Sequence, residues 1–308
     1  MFGKLRHLLK KERHTIGLDI GFSRINAVEL KNTLNNLQLI SLHSIESPPE
    51  TIIDGKITDK ELLIKKLNNL VQKNGWQGKQ AVTVVKGRGV IIRHLKMPVM
   101  PKAELKNAVK FELESYLPFN SKEAVIDFVN LGTIKIEREK QYLILIAAIP
   151  KEIAFTYYEV FTAIGLDLVA IDVVPLALQR TFFSKERKGV TAFADLGEEI
   201  TNFFIVVDDK VSLTKNITTG STIVNQEIVR ELRRFFELWQ AQSQNIDISK
   251  LVITGSTGNL DEITPFLSRQ LGIPVEIGKP LAGLLKEAKG IGPEYAIAAG
   301  LALRGVIK

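Results

Sequence analysis

Cysteine is absent from the 308 residues. Its absence excludes disulfides, thiolate metal sites and a cysteine nucleophile. Histidine is scarce, with four scattered copies, so a zinc site is not expected, though carboxylates still permit Mg²⁺. No apolar run reaches the roughly 18 residues of a membrane span. The first residues lack the apolar core and small-residue cleavage site of a signal peptide. Aromatics make up 7% of the chain and nowhere interleave with its Lys and Arg residues. A nucleic-acid surface is therefore not expected.

The remaining composition is that of globular material. Apolar residues are 45% and charged residues 24%, with mean hydropathy +0.08. The length suffices for two cores. A net charge of +7 favours an anionic partner. Part of that charge lies in residues 1–14, "MFGKLRHLLKKERH". There Phe2, Leu5, Leu8 and Leu9 share one helical face against Lys4, Arg6, Lys10, Lys11 and Arg13. Such a basic amphipathic segment can lie on a membrane surface, or be a frayed terminus.

Periodicity gives alternating strands and helices in two series. Three strands span Thr15 to Leu42. A helix over 58–74 follows, with "TDKE" read as a capping box in which Thr58 is the N-cap. The strand "AVTVV" comes next, and then Pro98 and Pro101 break the chain. A helix from Lys102 carries Leu105, Ala108, Val109, Glu112 and Leu113 at helical spacing, and "LPFN" stops it. Two strands, a helix over 151–164 and the strand "LDLVAID" complete the first series. The second opens near Val190 with three more strands. A helix over 221–240 has Ile228, Leu232, Phe235 and Trp239 as its core stripe. The strand "KLVITGSTG" enters a glycine loop, and the last helix begins at Pro293. The pattern predicts an α/β fold of two related halves.

One phrase recurs. "GLDIGFSRINAVEL" at 17–30 and "ADLGEEITNFFIVV" at 194–207 place Asp19 and Asp195 in register under a shift of 195 − 19 = 176. Gly21 then aligns with Gly197 and Ser23 with Glu199. Glycine at such a turn lets backbone N–H groups approach an anion. An aspartate beside it suits phosphate if Mg²⁺ or its water shell lies between. Ser23 and Thr201 can donate to phosphate oxygens. A single Asp-x-Gly is most often a plain hairpin, but two copies in corresponding places favour the phosphate reading. The loop Gly255, Ser256, Thr257 and Gly258 lies between a buried strand and a helix start, which offers free N–H groups to an anion.

On these residues the chain resembles the actin, hexokinase and heat-shock ATPase fold. Within it, the chain resembles the PilM family of type IV pilus assembly proteins. The first two motifs look like that superfamily's phosphate turns and the third like its adenosine loop. The stretches 97–119, 170–180 and 272–304 are the more specific to PilM.

The resemblance implies two actin-like domains: residues 15–85 with 166–189 and 293–308, and residues 190–292. It also implies an FtsA-like inserted subdomain at 86–165. It implies a cytoplasmic scaffold at the inner membrane face that binds the N-terminal tail of a PilN-like membrane protein beside that subdomain. Tyr116, Leu117, Pro118 and Phe119, apolar residues in a turn, are the candidate anchors.

The chain also departs from the pattern. Asp195 to Gly255 spans 60 residues (255 − 195), so most of the base-contacting subdomain is expected to be missing, although Gly220 remains. Ser256 replaces a usual glycine. Arg24 replaces a small or apolar residue and could pair with phosphate, Asp19 or Asp195. Losing base and ribose contacts of about 3–4 kcal/mol weakens binding by roughly two to three orders of magnitude. Weak ATP·Mg²⁺ binding is expected, with at most slow ATPase activity and Glu199 as the candidate to orient water. Two alternatives stay open. One is a nucleotide-free scaffold like the cytoplasmic domain of type II secretion GspL proteins. The other is a small-molecule kinase using Asp172, a residue that otherwise caps the next helix.

Overall fold

The computed structural model describes residues 13–307 except 34–35, 88, 137–138, 184–188, 219–225, 244–245, 257–259 and 286–289, and the side chains at 135–136. In chain order the first half contributes strands β1 (Arg13–Ile20), β2 (Arg24–Thr33) and β3 (Asn36–Glu46). The short hairpin β4 (Ile52–Ile53) and β5 (Lys56–Ile57) leads to helix α1 (Lys60–Lys73) and strand β6 (Gln80–Val84). Next come β7 (Ile91–Pro98), α2 (Lys102–Glu114), β8 (Ala124–Ile136), β9 (Glu139–Pro150), α3 (Lys151–Ala163), β10 (Asp167–Asp172) and α4 (Val174–Thr181). The second half contributes β11 (Val190–Leu196), β12 (Thr201–Val207), β13 (Lys210–Ile217), α5 (Gln226–Gln242), β14 (Lys250–Thr254), α6 (Leu260–Leu271) and β15 (Val275–Ile277). A 3₁₀ turn at Pro293–Tyr295 then runs into α7 (Ala296–Val306).

Two sheets repeat one topology. The first has strand order β10-β6-β1-β2-β3 and the second β15-β14-β11-β12-β13. In each, the strand bearing the aspartate forms an antiparallel hairpin on one side and a parallel pair on the other. The antiparallel strands β7, β9 and β8 form a third, smaller sheet, with α2 packed on it through Leu105, Val109 and Leu113. Glu112, at the same helical spacing, is exposed.

The amphipathic helices cover the sheets as their patterns require. Leu63, Leu67, Leu70 and Val71 of α1 join Trp76, Tyr157 and Phe161 in one core. Ile228, Leu232, Phe235 and Trp239 of α5 fill the other. A third cluster ties the halves together, with Ala177, Leu178, Ile297 and Leu301 from α4 and α7 between Val82 and Phe193 of the two sheets. Small residues permit this approach. A Cβ added at Gly300 would lie 1.9 Å from the Ala177 carbonyl oxygen, and one at Gly17 1.9 Å from that of Ala298.

Several local expectations are corrected. Residues 1–12 of the amphipathic segment lie outside the described residues, while Arg13 and His14 begin β1. The N-cap of α1 is Asp59, not Thr58: Leu62 N–H donates to Asp59 Oδ1 at 2.9 Å. The Thr58 hydroxyl instead donates to the Glu50 carbonyl. Asp172 does not cap α4, whose N-cap is Val173. Its buried carboxylate is gripped by Arg180 and, at 2.9 Å, by Arg304. That leaves Asp172 no free oxygen for a kinase substrate.

Candidate functional site

The strands β1 and β11 end on the same cleft. Asp19 and Asp195 are both buried and both line it, with Gly21, Ser23 and Arg24 from one half and Gly197, Glu198, Glu199, Gly255 and Ser256 from the other. The turns match in detail. Gly21 N–H donates to the Arg24 carbonyl at 2.9 Å, and Gly197 packs against the carbonyl of Ile200, the residue 176 positions beyond Arg24. Gly255 has φ +117°, and a Cβ there would lie 2.3 Å from the Leu196 carbonyl oxygen. Glycine is required at that close approach. Thr257 and Gly258, like Gly220, lie outside the described residues.

The symmetry reaches one strand further than the quoted phrase. Asp19 pairs across its hairpin with Asn26, and Asp195 pairs with Asn202. Both asparagines are buried, and 26 + 176 = 202. Asn202 Nδ2 donates to Asp195 Oδ2 at 3.0 Å. Asn26 has turned to the Glu294 carbonyl, to which it donates at 3.1 Å.

Sequence reasoning missed Lys86. Its ammonium lies 2.7 Å from Asp19 Oδ1 and donates to Oδ2 at 2.9 Å. Burial disfavours the ammonium, but the charges of Asp19 and Asp195 outweigh it and raise the Lys86 pKa. Burial pushes the Asp195 carboxyl up; Lys86 and the Asn202 hydrogen bond pull it back, and Asp19 adds to the rise. A protein cation thus stands against the aspartate where the sequence suggested the water shell of Mg²⁺. Among the described residues no cluster of three or more His, Asp or Glu is placed to hold a metal directly. The available signal was "VVKGRG", a cation at the exit of a buried strand beside glycines.

Other candidates sit differently from expectation. Thr201 is fully buried at the start of β12 and is not part of the cleft lining, so its hydroxyl is not offered to a phosphate there. Ser23 Oγ donates across the cleft to Glu198 Oε1 at 2.5 Å. Arg24 Nε donates to Ser44 Oγ at 2.9 Å, and the partner of Asp19 is Lys86 instead. Glu199 lines the cleft, its pKa raised by burial and by the charges of Asp54 and Glu198. The cleft holds about 80 Å³ and adjoins an open hollow of about 600 Å³. Arg24, Gly255, Ser256 and Glu294 border both; Leu260, Ile277 and Tyr295 line the hollow. After α2, Tyr116 and Pro118 are exposed, while Leu117 and Phe119 are half-buried.

A family model described as type IV pilus assembly protein PilM matches residues 17–233. That range contains both aspartates, Lys86 and the whole third sheet. The chain belongs to the PilM family. It is also similar to the solved PilM–PilN type IV pilus biogenesis complex, with 26% identity, TM-score 0.83, and coverage of 96% of this chain and 99% of that one. Two further structures share the fold. The ethanolamine utilization protein EutJ from Carboxydothermus hydrogenoformans has TM-score 0.54 and 16% identity, over 95% of this chain and 90% of that one. A Bacteroides thetaiotaomicron protein described as having an actin-like ATPase fold and unknown function has TM-score 0.52 and 11% identity, over 86% and 91%. The repeated sheets around a shared cleft, with a third small sheet, are therefore the PilM form of the actin-like fold.

Proposed function

We propose that the chain is a cytoplasmic scaffold of the type IV pilus inner-membrane platform that binds the N-terminal tail of a PilN-like protein. The observation that carries this reading is the similarity to the PilM–PilN complex over nearly the full length of both chains. The residues inserted between β6 and β10 are the proposed docking region. Phe111 of α2 is 78% exposed and Tyr116 44%, and Val125 and Val129 of β8 are exposed as well. Apolar anchors of this kind carry most of the affinity in a docking surface.

The cleft is a phosphate site of low nucleotide affinity in this reading. The paired glycine turns support the phosphate half. The 60 residues between Asp195 and Gly255 (255 − 195) leave little chain for a base-contacting subdomain, so ATP and GTP should bind about equally. Mg²⁺ would arrive as a companion of the nucleotide and supply charge neutralisation; Asp195 would face its water shell, whereas Asp19 is already paired with Lys86. Glu199 is the candidate for orienting water, and any turnover is slow.

The test is calorimetry of a PilN-like N-terminal peptide against the full chain and against Tyr116→Ala. The variant should bind at least tenfold more weakly while melting at an unchanged temperature. Equal affinity would remove this surface as the docking site. Titration with ATP·Mg²⁺ on the same preparation tests the cleft.

A further inference from the structure

Tyr157 of α3 belongs to the core behind α1 and is completely buried. A buried phenol normally finds a hydrogen-bond partner. The Tyr157 hydroxyl has no hydrogen-bond partner among the described residues, although Tyr157 lines the cleft with Asp19, Lys86 and Asp195. It is close enough to Asp19 to feel the carboxylate charge, which adds to the effect of burial in holding the phenol protonated. A protonated phenol is a donor. Asp19 does not accept from it: Oδ2 accepts from Lys86, and Oδ1, 2.7 Å from the same ammonium, has no hydrogen-bond partner among the described residues. An apolar Phe would fill the same core volume without leaving a buried hydroxyl unsatisfied. The hydroxyl is therefore unexplained by packing among the described residues, and it belongs to a residue that lines the cleft both aspartates border.

We propose that the Tyr157 hydroxyl is a ligand-binding donor of this cleft, directed at an oxygen of the bound phosphate group or of water held with it. The assignment rests on the reading of the cleft as a phosphate site and extends it to a helix that no glycine turn marks. It places one donor on α3, in a lining that also holds Asp19, Lys86 and Asp195. The cleft's own charge makes such a donor useful. Asp19, Asp195, Glu198, Glu199 and Glu294 line it against Lys86 and Arg24. A neutral O–H can meet an anionic oxygen without adding a further carboxylate to that set.

Tyr157→Phe separates binding from structure. A hydroxyl that served the fold would lower the melting temperature when removed. A hydroxyl kept unsatisfied for a ligand should leave the melting temperature of the ligand-free chain unchanged or higher. Calorimetry with ATP·Mg²⁺ and with pyrophosphate·Mg²⁺ should then show about a tenfold loss of affinity for both probes, the equivalent of one hydrogen bond. A loss common to both probes would locate the contact at phosphate and not at the base. If the wild-type chain binds a probe and Tyr157→Phe binds it equally well, the assignment falls while the cleft reading stands. If the wild-type chain binds neither probe, the phosphate reading itself falls, and the assignment with it. A melting temperature lowered by several degrees in the variant would make the hydroxyl structural and also overturn the proposal.

Discussion

Asp19 is 4% exposed and sits mid-sheet, a position where an isolated carboxylate would cost several kcal/mol. Lys86 offsets that cost from 67 residues away. Breaking a buried pair by deleting one partner leaves an uncompensated charge and costs about 3–5 kcal/mol. Lys86→Met should accordingly lower unfolding free energy by about 3 kcal/mol in urea titration at neutral pH. The second substitution Asp19→Asn should recover much of that loss, because it removes the stranded charge. A single variant as stable as the wild type would mean that solvent, not Lys86, satisfies Asp19. Tyr157 is the opposite case at this scale: a neutral group whose partner is missing.

At the scale of elements, the repeated hairpins and the stripes of α1 and α5 were legible because they are local patterns of period two and 3.6. In α2, Leu105, Val109 and Leu113 are buried while Glu112 at the same helical spacing is exposed, since spacing alone cannot tell a core residue from a solvated one at the stripe's margin. The cap of α1 was misplaced by one residue because Thr58 and Asp59 are both good caps; the choice depends on the Glu50 carbonyl, eight residues back. β7, "IIRHLKMP", gave no clear alternation. It exists because it pairs with β9, which lies far away in sequence. Lys86 had its signal in "VVKGRG", but its partner was not legible, because Asp19 lies 67 residues away on the neighbouring strand β1 and the further charge of Asp195 comes from the second sheet.

β7 also makes a seam with the second half. His94 Nε2 lies 3.1 Å from the Val211 carbonyl of β13. Burial lowers the His94 pKa to about 4, with the backbone contact pulling slightly the other way. The folded value thus lies below the unfolded value of about 6.5, so the neutral ring is the form the fold prefers. Stability from this group is complete above about pH 6.5 and is lost as pH falls towards 4. His94→Gln keeps a donor for Val211 without the titration. Between pH 7 and pH 4 the wild type should lose about 2–3 kcal/mol relative to the variant, read by urea unfolding at each pH. Parallel curves would show that His94 is solvated in solution.

Across the whole molecule, α4 and α7 hold the halves together from behind, and the cleft mouth is closed by separate, polar contacts. Ser23 of the first half donates to Glu198 of the second. The like charges of Glu199 and Asp54, one from each half, push the other way. Closure is thus a balance of small terms laid over a fixed apolar hinge. The space it leaves, about 80 Å³, is far below the roughly 300–1,000 Å³ of ordinary ligand pockets, although the open hollow of about 600 Å³ adjoins it. Glu198→Ala removes the pull and leaves the hinge intact. Hydrogen exchange at the amides of 21–24 and 197–200 should speed up severalfold, with unfolding free energy changed by less than about 1 kcal/mol. Glu294→Gln, which removes a charge from the same lining without touching Ser23, should leave exchange at those turns unchanged. If both variants accelerate exchange equally, charge density alone sets the opening; if neither does, the apolar hinge alone holds the halves closed.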